Sequence, residues 1–149
     1  MKTLKIIGIA TQTSNNNNQA IEDLGKLWNQ FFTENIIAKI PNTINSNIYA
    51  VYTDYENDFT GKYTTLIGLE VSSLDDIPTG MIGREFKPQT FKKYSAKGEL
   101  HEAVGRMWNE IWKDDAKLNR TYNYDYELYT EKAQNPADAE VEIYIGVKD

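Results

Sequence analysis

Leu27-Trp28-Asn29-Gln30-Phe31-Phe32 returns as Met107-Trp108-Asn109-Glu110-Ile111-Trp112, an offset of 80 residues in a chain of 149, and this repeat decides the fold. Around the first copy, Ala20, Leu24, Leu27, Trp28 and Phe31 fall at i, i+4, i+7, i+8 and i+11, one apolar stripe of a helix. Around the second, Leu100, Ala103, Val104, Met107, Trp108 and Ile111 do the same. Each helix is followed by a tyrosine-rich strand pair: Ile48 to Tyr52 with Tyr63 to Val71, then Tyr124 to Tyr129 with Val141 to Val147. Repetition at half the chain length means one small unit used twice, related by a pseudo-twofold axis. The expectation is an α+β domain spanning 1–149, with pseudo-repeats at about 1–73 and 80–149. Each repeat reads strand–helix–strand–strand, giving an antiparallel sheet with two helices on one face. Paired units leave a seam, here walled by aromatic rings and suited to a ligand.

Composition narrows the function. With 40% hydrophobic and 26% charged residues the chain is globular. A net charge of −6 argues against direct nucleic-acid binding, which needs clustered Lys and Arg to displace counterions. Without cysteine there is no disulfide, thiolate nucleophile or Cys-ligated metal. Met1 to Ala10 carries a basic start but only a brief apolar run, and nothing later approaches membrane-spanning length. The expected location is cytoplasmic, with no membrane partner, and the sequon Asn119-Arg120-Thr121 is then without consequence.

Along the chain, residues 4–12 read as a strand, and Ser14 to Asn18 as a loop in which Asn16 caps helix one with Gln19 three residues on. Pro41 and the polar stretch Asn42 to Asn47 separate that helix from the first strand pair, whose turn is Asn57 to Gly61. Ser72 to Gly80 connects the halves, and a strand over Met81 to Ser95 breaks near Pro88. Helix two starts at Glu99, with Glu99 and Glu102 favoured by the helix dipole. Lys113 to Lys117 reads as a solvated helix end, and Ala133 to Asp138 as the last hairpin loop.

Glu127 is the leading candidate for a functional residue. On a strand, Asp125, Glu127 and Tyr129 share one face, and Tyr124, Tyr126 and Leu128 the other. Either the acids face water, or the strand is turned so that Glu127 and Tyr129 face the helices and the seam. A carboxylate in the seam is costly unless a cation or hydrogen-bond donors match it. The segment alone leaves both readings open. Trp28, Trp108 and Trp112 lie on or beside the helix stripes, where core packing is the ordinary role. The strands add Tyr49, Tyr52, Tyr63, Tyr126, Tyr129 and Tyr144, more hydroxyl-bearing rings than one small core can satisfy. Some therefore line a cavity, and aromatic faces beside a carboxylate suit an organic cation. The expected ligand-binding set is Glu127, Tyr129, Tyr52, Tyr49, Trp28, Trp108, Trp112 and Tyr144. Asp54, Glu56 and Asp58 have the spacing of a calcium loop, but Phe59 stands where such a loop needs glycine. His101, the single histidine, has no partner acid at motif spacing and reads as a surface residue. No metal and no cofactor is expected.

The segments Phe91 to Gly98, Trp108 to Trp112, Asp125 to Tyr129 and Glu142 to Ile145 resemble the GyrI-like small-molecule-binding domain, also called the AraC-type or bacterial transcription activator effector-binding domain. In the first half, Leu27-Trp28, Ile48 to Tyr52 and Gly68 to Val71 resemble it too, so the likeness spans nearly the whole chain. It implies two strand–helix–strand–strand modules with a cleft between the helices, and an acid in the cleft that meets cationic, often aromatic, compounds. Tyr126-Glu127-Leu128-Tyr129 matches the family's aromatic-Glu-x-Tyr strand, which favours the cleft-facing reading of Glu127. The family often has proline after its Ile-Tyr-Ile segment where this chain has Gly146, so the end of the last strand is expected to differ. The leading expectation is a stand-alone sensor or sequestering module for hydrophobic, cationic or aromatic compounds, since the chain begins at the module's first strand. The alternative is a hydrolase of reactive cyclic small molecules, with Glu127 acting on a water or stabilising positive charge. A third reading, protein–protein inhibition through the acidic surface, has no local motif behind it.

Overall fold

Stripe and alternation become a single antiparallel sheet backed by two helices in a computed structural model, which describes residues 3–16, 19–57 and 60–149. The first unit is β1 (Leu4–Ser14), α1 (Gln19–Thr33), β2 (Thr43–Thr53) and β3 (Lys62–Val71), with a one-turn helix α2 (Ile36–Lys39) after α1. An extra strand β4 (Ile82–Phe86) follows. The second unit is β5 (Thr90–Gly98), α3 (Leu100–Lys113), β6 (Tyr124–Tyr129) and β7 (Ala139–Val147), with a one-turn helix α4 (Asp115–Leu118) after α3. The sheet order is β4-β1-β3-β2-β6-β7-β5. Within each unit the last strand lies between the other two, and the units join where β2 pairs with β6, Ala50 opposite Glu127 and Tyr52 opposite Asp125. That is the expected α+β architecture, with β4 added at one edge.

Both helices bury their stripes on the same sheet face. Leu27 and Phe31 pack on Ile7, Ile9, Ala50, Ile67 and Leu69, while Ile111 packs on Ile143 and Ile145. Trp108 touches both clusters.

The opposite face is closed by the sheet itself, for a reason visible in the connectivity. The two edge strands β4 and β5 are joined only by Lys87-Pro88-Gln89. In a flat sheet six inter-strand gaps would hold the edges about 29 Å apart, whereas that link reaches about 14 Å at most. The sheet must therefore curl until the end of β4 lies within that reach of the start of β5. Inside the curl both edges pack on β6: the Phe86 ring lies 4.9 Å from Tyr124, Phe91 packs edge-on against Tyr124 and Tyr126, and the Tyr124 hydroxyl donates to the Lys87 carbonyl at 2.7 Å. Leu4, Ile6, Val51 and Leu66 are buried inside the curl.

Several boundaries differ from the sequence reading. The polar stretch Asn42 to Asn47 does not precede β2 but mostly belongs to it, starting at Thr43, with a register shift before Ile48. Only Thr43 of that stretch pairs in register, opposite Val71, and the residues between it and Ile48 form an irregularity in the strand. Lys113 to Lys117 is not a simple solvated end, because α4 turns there and buries Leu118. Helix α1 is described from Gln19, and the expected N-cap at Asn16 depends on residues 17 and 18, which lie outside the described residues; the Asn16 side chain donates to the Thr60 carbonyl at 3.3 Å. Asn17 and Asn18 of that loop, Asp58 and Phe59 of the predicted turn, and Met1 and Lys2 lie outside the described residues. Helix α3 starts at Leu100, one residue after the expected start, and Glu99 serves as its N-cap, accepting from the Glu102 amide at 2.8 Å. Among the described residues no helix is long and apolar enough to cross a membrane.

Candidate functional site

Strand register settles which face of β6 is buried. Ala50 and Tyr52 face the helices, so their partners Glu127 and Asp125 do too, and Tyr129 follows by alternation. Glu127 is only 3% exposed. Its Oε2 accepts from the Trp108 indole at 2.6 Å and the Tyr52 hydroxyl at 2.9 Å, and its Oε1 from the Tyr129 hydroxyl at 2.5 Å. All three donors are neutral. Burial pushes the Glu127 carboxyl above the usual carboxylate range, with the three hydrogen bonds pulling against it, and no charged side chain is among the causes.

Two residues along the same strand the balance is different. Asp125, fully buried, accepts from Arg120 Nη2 at 2.7 Å, from the Tyr55 hydroxyl at 2.5 Å and from the Gly146 amide at 2.8 Å. Burial pushes this carboxyl up while the Arg120 guanidinium pulls it down. Arg120 itself, with burial working against its charge, is held above its ordinary range by Asp125. Tyr122 adopts a left-handed backbone (φ 56°), which a bulky residue rarely does; its ring stacks 4.3 Å from the guanidinium and its hydroxyl donates to Asp115. Gly146 is where the chain departs from the family it resembles. Here β7 runs through to Val147, and a proline at 146 would have no N–H to give Asp125.

Above Glu127 opens a cavity of about 1090 Å³ between α1 and α3. Its two helical walls are the same wall twice. Ala20, Ile21, Leu24, Gly25, Trp28 and Phe32 line it from α1, and Leu100, His101, Val104, Gly105, Trp108 and Trp112, each 80 residues later, line it from α3. The rings form a continuous aromatic lining. Trp28 meets Tyr129 edge-on at 5.1 Å and stacks on Phe32 at 5.9 Å, while Trp108 meets Tyr52 edge-on at 5.5 Å. Tyr55, Tyr63 and Arg120 close the polar end, where the Tyr63 hydroxyl is pushed up to about 12 by burial.

Of the eight residues expected to bind ligand, six gather here: Glu127, Tyr129, Tyr52, Trp28, Trp108 and Trp112. Tyr49 and Tyr144 do not. Tyr49 is an odd number of residues from Tyr52 and so points through the opposite face, where its hydroxyl donates to Glu70 at 3.1 Å. Tyr144 pairs in register with Tyr126, stacks on it at 4.7 Å and donates to Glu142. His101 is exposed, as expected of a surface residue, but stands at the rim of the cavity. The sequence reading missed Tyr55, Arg120 and the two glycines. For the glycines a signal was present, since 25 and 105 share the offset of the tryptophans.

Comparison with known proteins bears on this geometry. The family model described as Cass2, integron-associated effector binding protein, matches residues 1–147. YobU of Bacillus subtilis (strain 168), provisionally named a transcriptional regulator, is 27% identical over 147 residues, covering 97% of this chain and 92% of that protein. Integron cassette protein VCH_CASS2 from the mobile metagenome of Vibrio cholerae has a solved structure that superposes with a TM-score of 0.78 at 27% identity, over 99% of this chain and 92% of that one. SAV2435, solved bound to tetraphenylphosphonium, shares the fold at a TM-score of 0.81 and 20% identity, over 99% and 90% of the two chains.

Proposed function

The chain belongs to the Cass2 family of integron-associated effector binding proteins, and from that premise we propose that it binds hydrophobic organic cations between α1 and α3, with Glu127 as the counter-ion. One observation carries the reading: Glu127 is buried and oriented by three neutral donors, with no cationic side chain among the described residues in its immediate contacts. A buried carboxylate in that state is costly when ionised, and a ligand cation is what would complete it. Asp125 supports the assignment by contrast. The fold neutralises that acid with Arg120 and leaves its neighbour without a guanidinium.

Trp28, Trp108, Trp112, Tyr52 and Tyr129 supply ring faces on which a delocalised cation is favoured and its apolar groups are removed from water. Binding without chemistry makes the protein a sensor or a sequestering module. We place this in the cytoplasm, a reading the cysteine-free composition supports. That SAV2435 was solved with a hydrophobic cation supports the choice of probe.

Titration calorimetry with tetraphenylphosphonium tests the reading. Glu127→Gln keeps the shape and removes the charge, and affinity should fall by about 1–3 kcal/mol. Neutral triphenylphosphine oxide should bind more weakly than the cation to the wild type and equally to both proteins. Equal affinity of the cation for both proteins would remove Glu127 from the site.

A further inference from the structure

Helices α1 and α3 each carry one interior glycine, Gly25 and Gly105, at equivalent places in the repeat. Glycine is a poor helix former, because it has more backbone freedom to lose than alanine and no side chain to bury. A fold keeps it in a helix where the backbone must adopt positive φ, or where another element approaches too closely for a Cβ. Neither holds here. Neither glycine has positive φ, and among the described residues a Cβ at either position would meet nothing within 4 Å apart from its chain neighbours and its own helix backbone. Elsewhere in this chain the second reason is plain: a Cβ at Gly8 would sit 1.9 Å from the Ile67 carbonyl oxygen, and one at Gly146 would sit 2.4 Å from Gln89 Nε2. Packing of the chain against itself explains those two and leaves Gly25 and Gly105 unexplained.

Both open onto the cavity. On a helix the same-face neighbours of a residue lie three and four positions away in either direction. Among those neighbours Ile21 and Trp28 beside Gly25, and His101 and Trp108 beside Gly105, line the same space. Each glycine is a notch in an otherwise bulky wall, and the pseudo-twofold gives one notch per helix above a single carboxylate.

We infer that Gly25 and Gly105 set the shape the cleft admits, each notch taking one aromatic arm of a ligand whose charged centre lies at Glu127. The ligand class is then an organic cation with two or more aromatic groups around the charge, as opposed to a slender cation with one ring. This rests on the cation-binding reading of the cavity and adds shape selection to it.

The test uses the full chain with Gly25→Ala, Gly105→Ala and the bulkier Gly25→Leu and Gly105→Leu, each titrated with tetraphenylphosphonium and with benzyltrimethylammonium. Without ligand, the alanine variants should melt about 2–4 °C higher than the wild type, because alanine favours the helix and nothing clashes. They should bind tetraphenylphosphonium about tenfold more weakly, the leucine variants more weakly still, with benzyltrimethylammonium changed by less than about twofold. Opposite signs for stability and affinity are what a purely structural glycine would not give. Lower melting temperatures for the alanine variants, or unchanged tetraphenylphosphonium affinity while Glu127→Gln still loses it, would overturn the inference and leave the cation site standing. Equal losses for both probes would overturn shape selection. A wild type that binds neither cation would overturn the site and the inference together.

Discussion

Glu127 carries a charge problem that the fold alone does not solve, and its consequences are pH-dependent. Its folded-state pKa is raised above the unfolded value, so the folded protein holds that proton more tightly. Stability from this group is therefore full below the ordinary carboxylate pKa and is lost as pH rises through the raised value. Glu127→Gln should melt higher than the wild type at neutral pH, and the gap should close on acidification towards about pH 4. Thermal melts of both proteins across that window check it; a gap independent of pH would mean that the carboxylate is not strained by burial. Cation binding requires the ionised form, so affinity for tetraphenylphosphonium should weaken as pH falls through the same window in the wild type and stay flat in Glu127→Gln. At this scale the sequence was half legible. Tyr124 to Tyr129 shows two alternating faces without saying which is buried, and the answer lies in pairing with β2, a strand more than seventy residues away. Arg120 gave no signal, because its placement depends on the left-handed Asn119 and Tyr122 that turn the chain between α4 and β6.

Elements divide into those whose patterns are local and those set by their neighbours. Both helices were readable because a stripe of period 3.6 with its tryptophans is a local pattern, and acids at Glu99 and Glu102 fit the start of α3. Strand β2 starts earlier than the alternating run because its first residues pair only at Thr43 and then shift register before Ile48, an irregularity that leaves no alternation to read. Tyr49 and Tyr144 were assigned to the cleft by residue type, and strand parity placed them on the other side. The α4–β6 junction makes the clearest stability prediction. The Arg120 and Asp125 side chains are 1% and 0% exposed, so Arg120→Met leaves a buried carboxylate without its cation. The expected loss is about 3–5 kcal/mol in urea unfolding, with part recovered when Asp125→Asn is added. A loss within experimental error would mean that water already serves Asp125.

The whole molecule turns duplication into a receptor. Two copies of one unit join at β2 and β6, their helices stand on the same side, and the gap between the helices is lined by matched residues 80 apart. The sheet's other face is used up by its own curl, which the three-residue link between β4 and β5 imposes. The repeat and the shared helix face were legible, because both follow from patterns within each half. The curl was not, because it depends on β4 and β5 taking opposite edges, which the order of elements alone does not reveal. The molecule therefore has an open aromatic face whose acid, Glu127, meets only neutral donors among the described residues, and a closed aromatic face holding Tyr49, Tyr126 and Tyr144. A crystal structure of the wild-type protein with tetraphenylphosphonium discriminates between them directly. The cation is predicted to lie between α1 and α3 over the Glu127 carboxylate, with the Trp28 and Trp108 ring centres within about 6 Å of the charged centre or its aryl groups. Density against the Tyr49–Tyr126–Tyr144 face, or a cleft left empty at saturating cation, would contradict the assignment of Glu127 as the counter-ion.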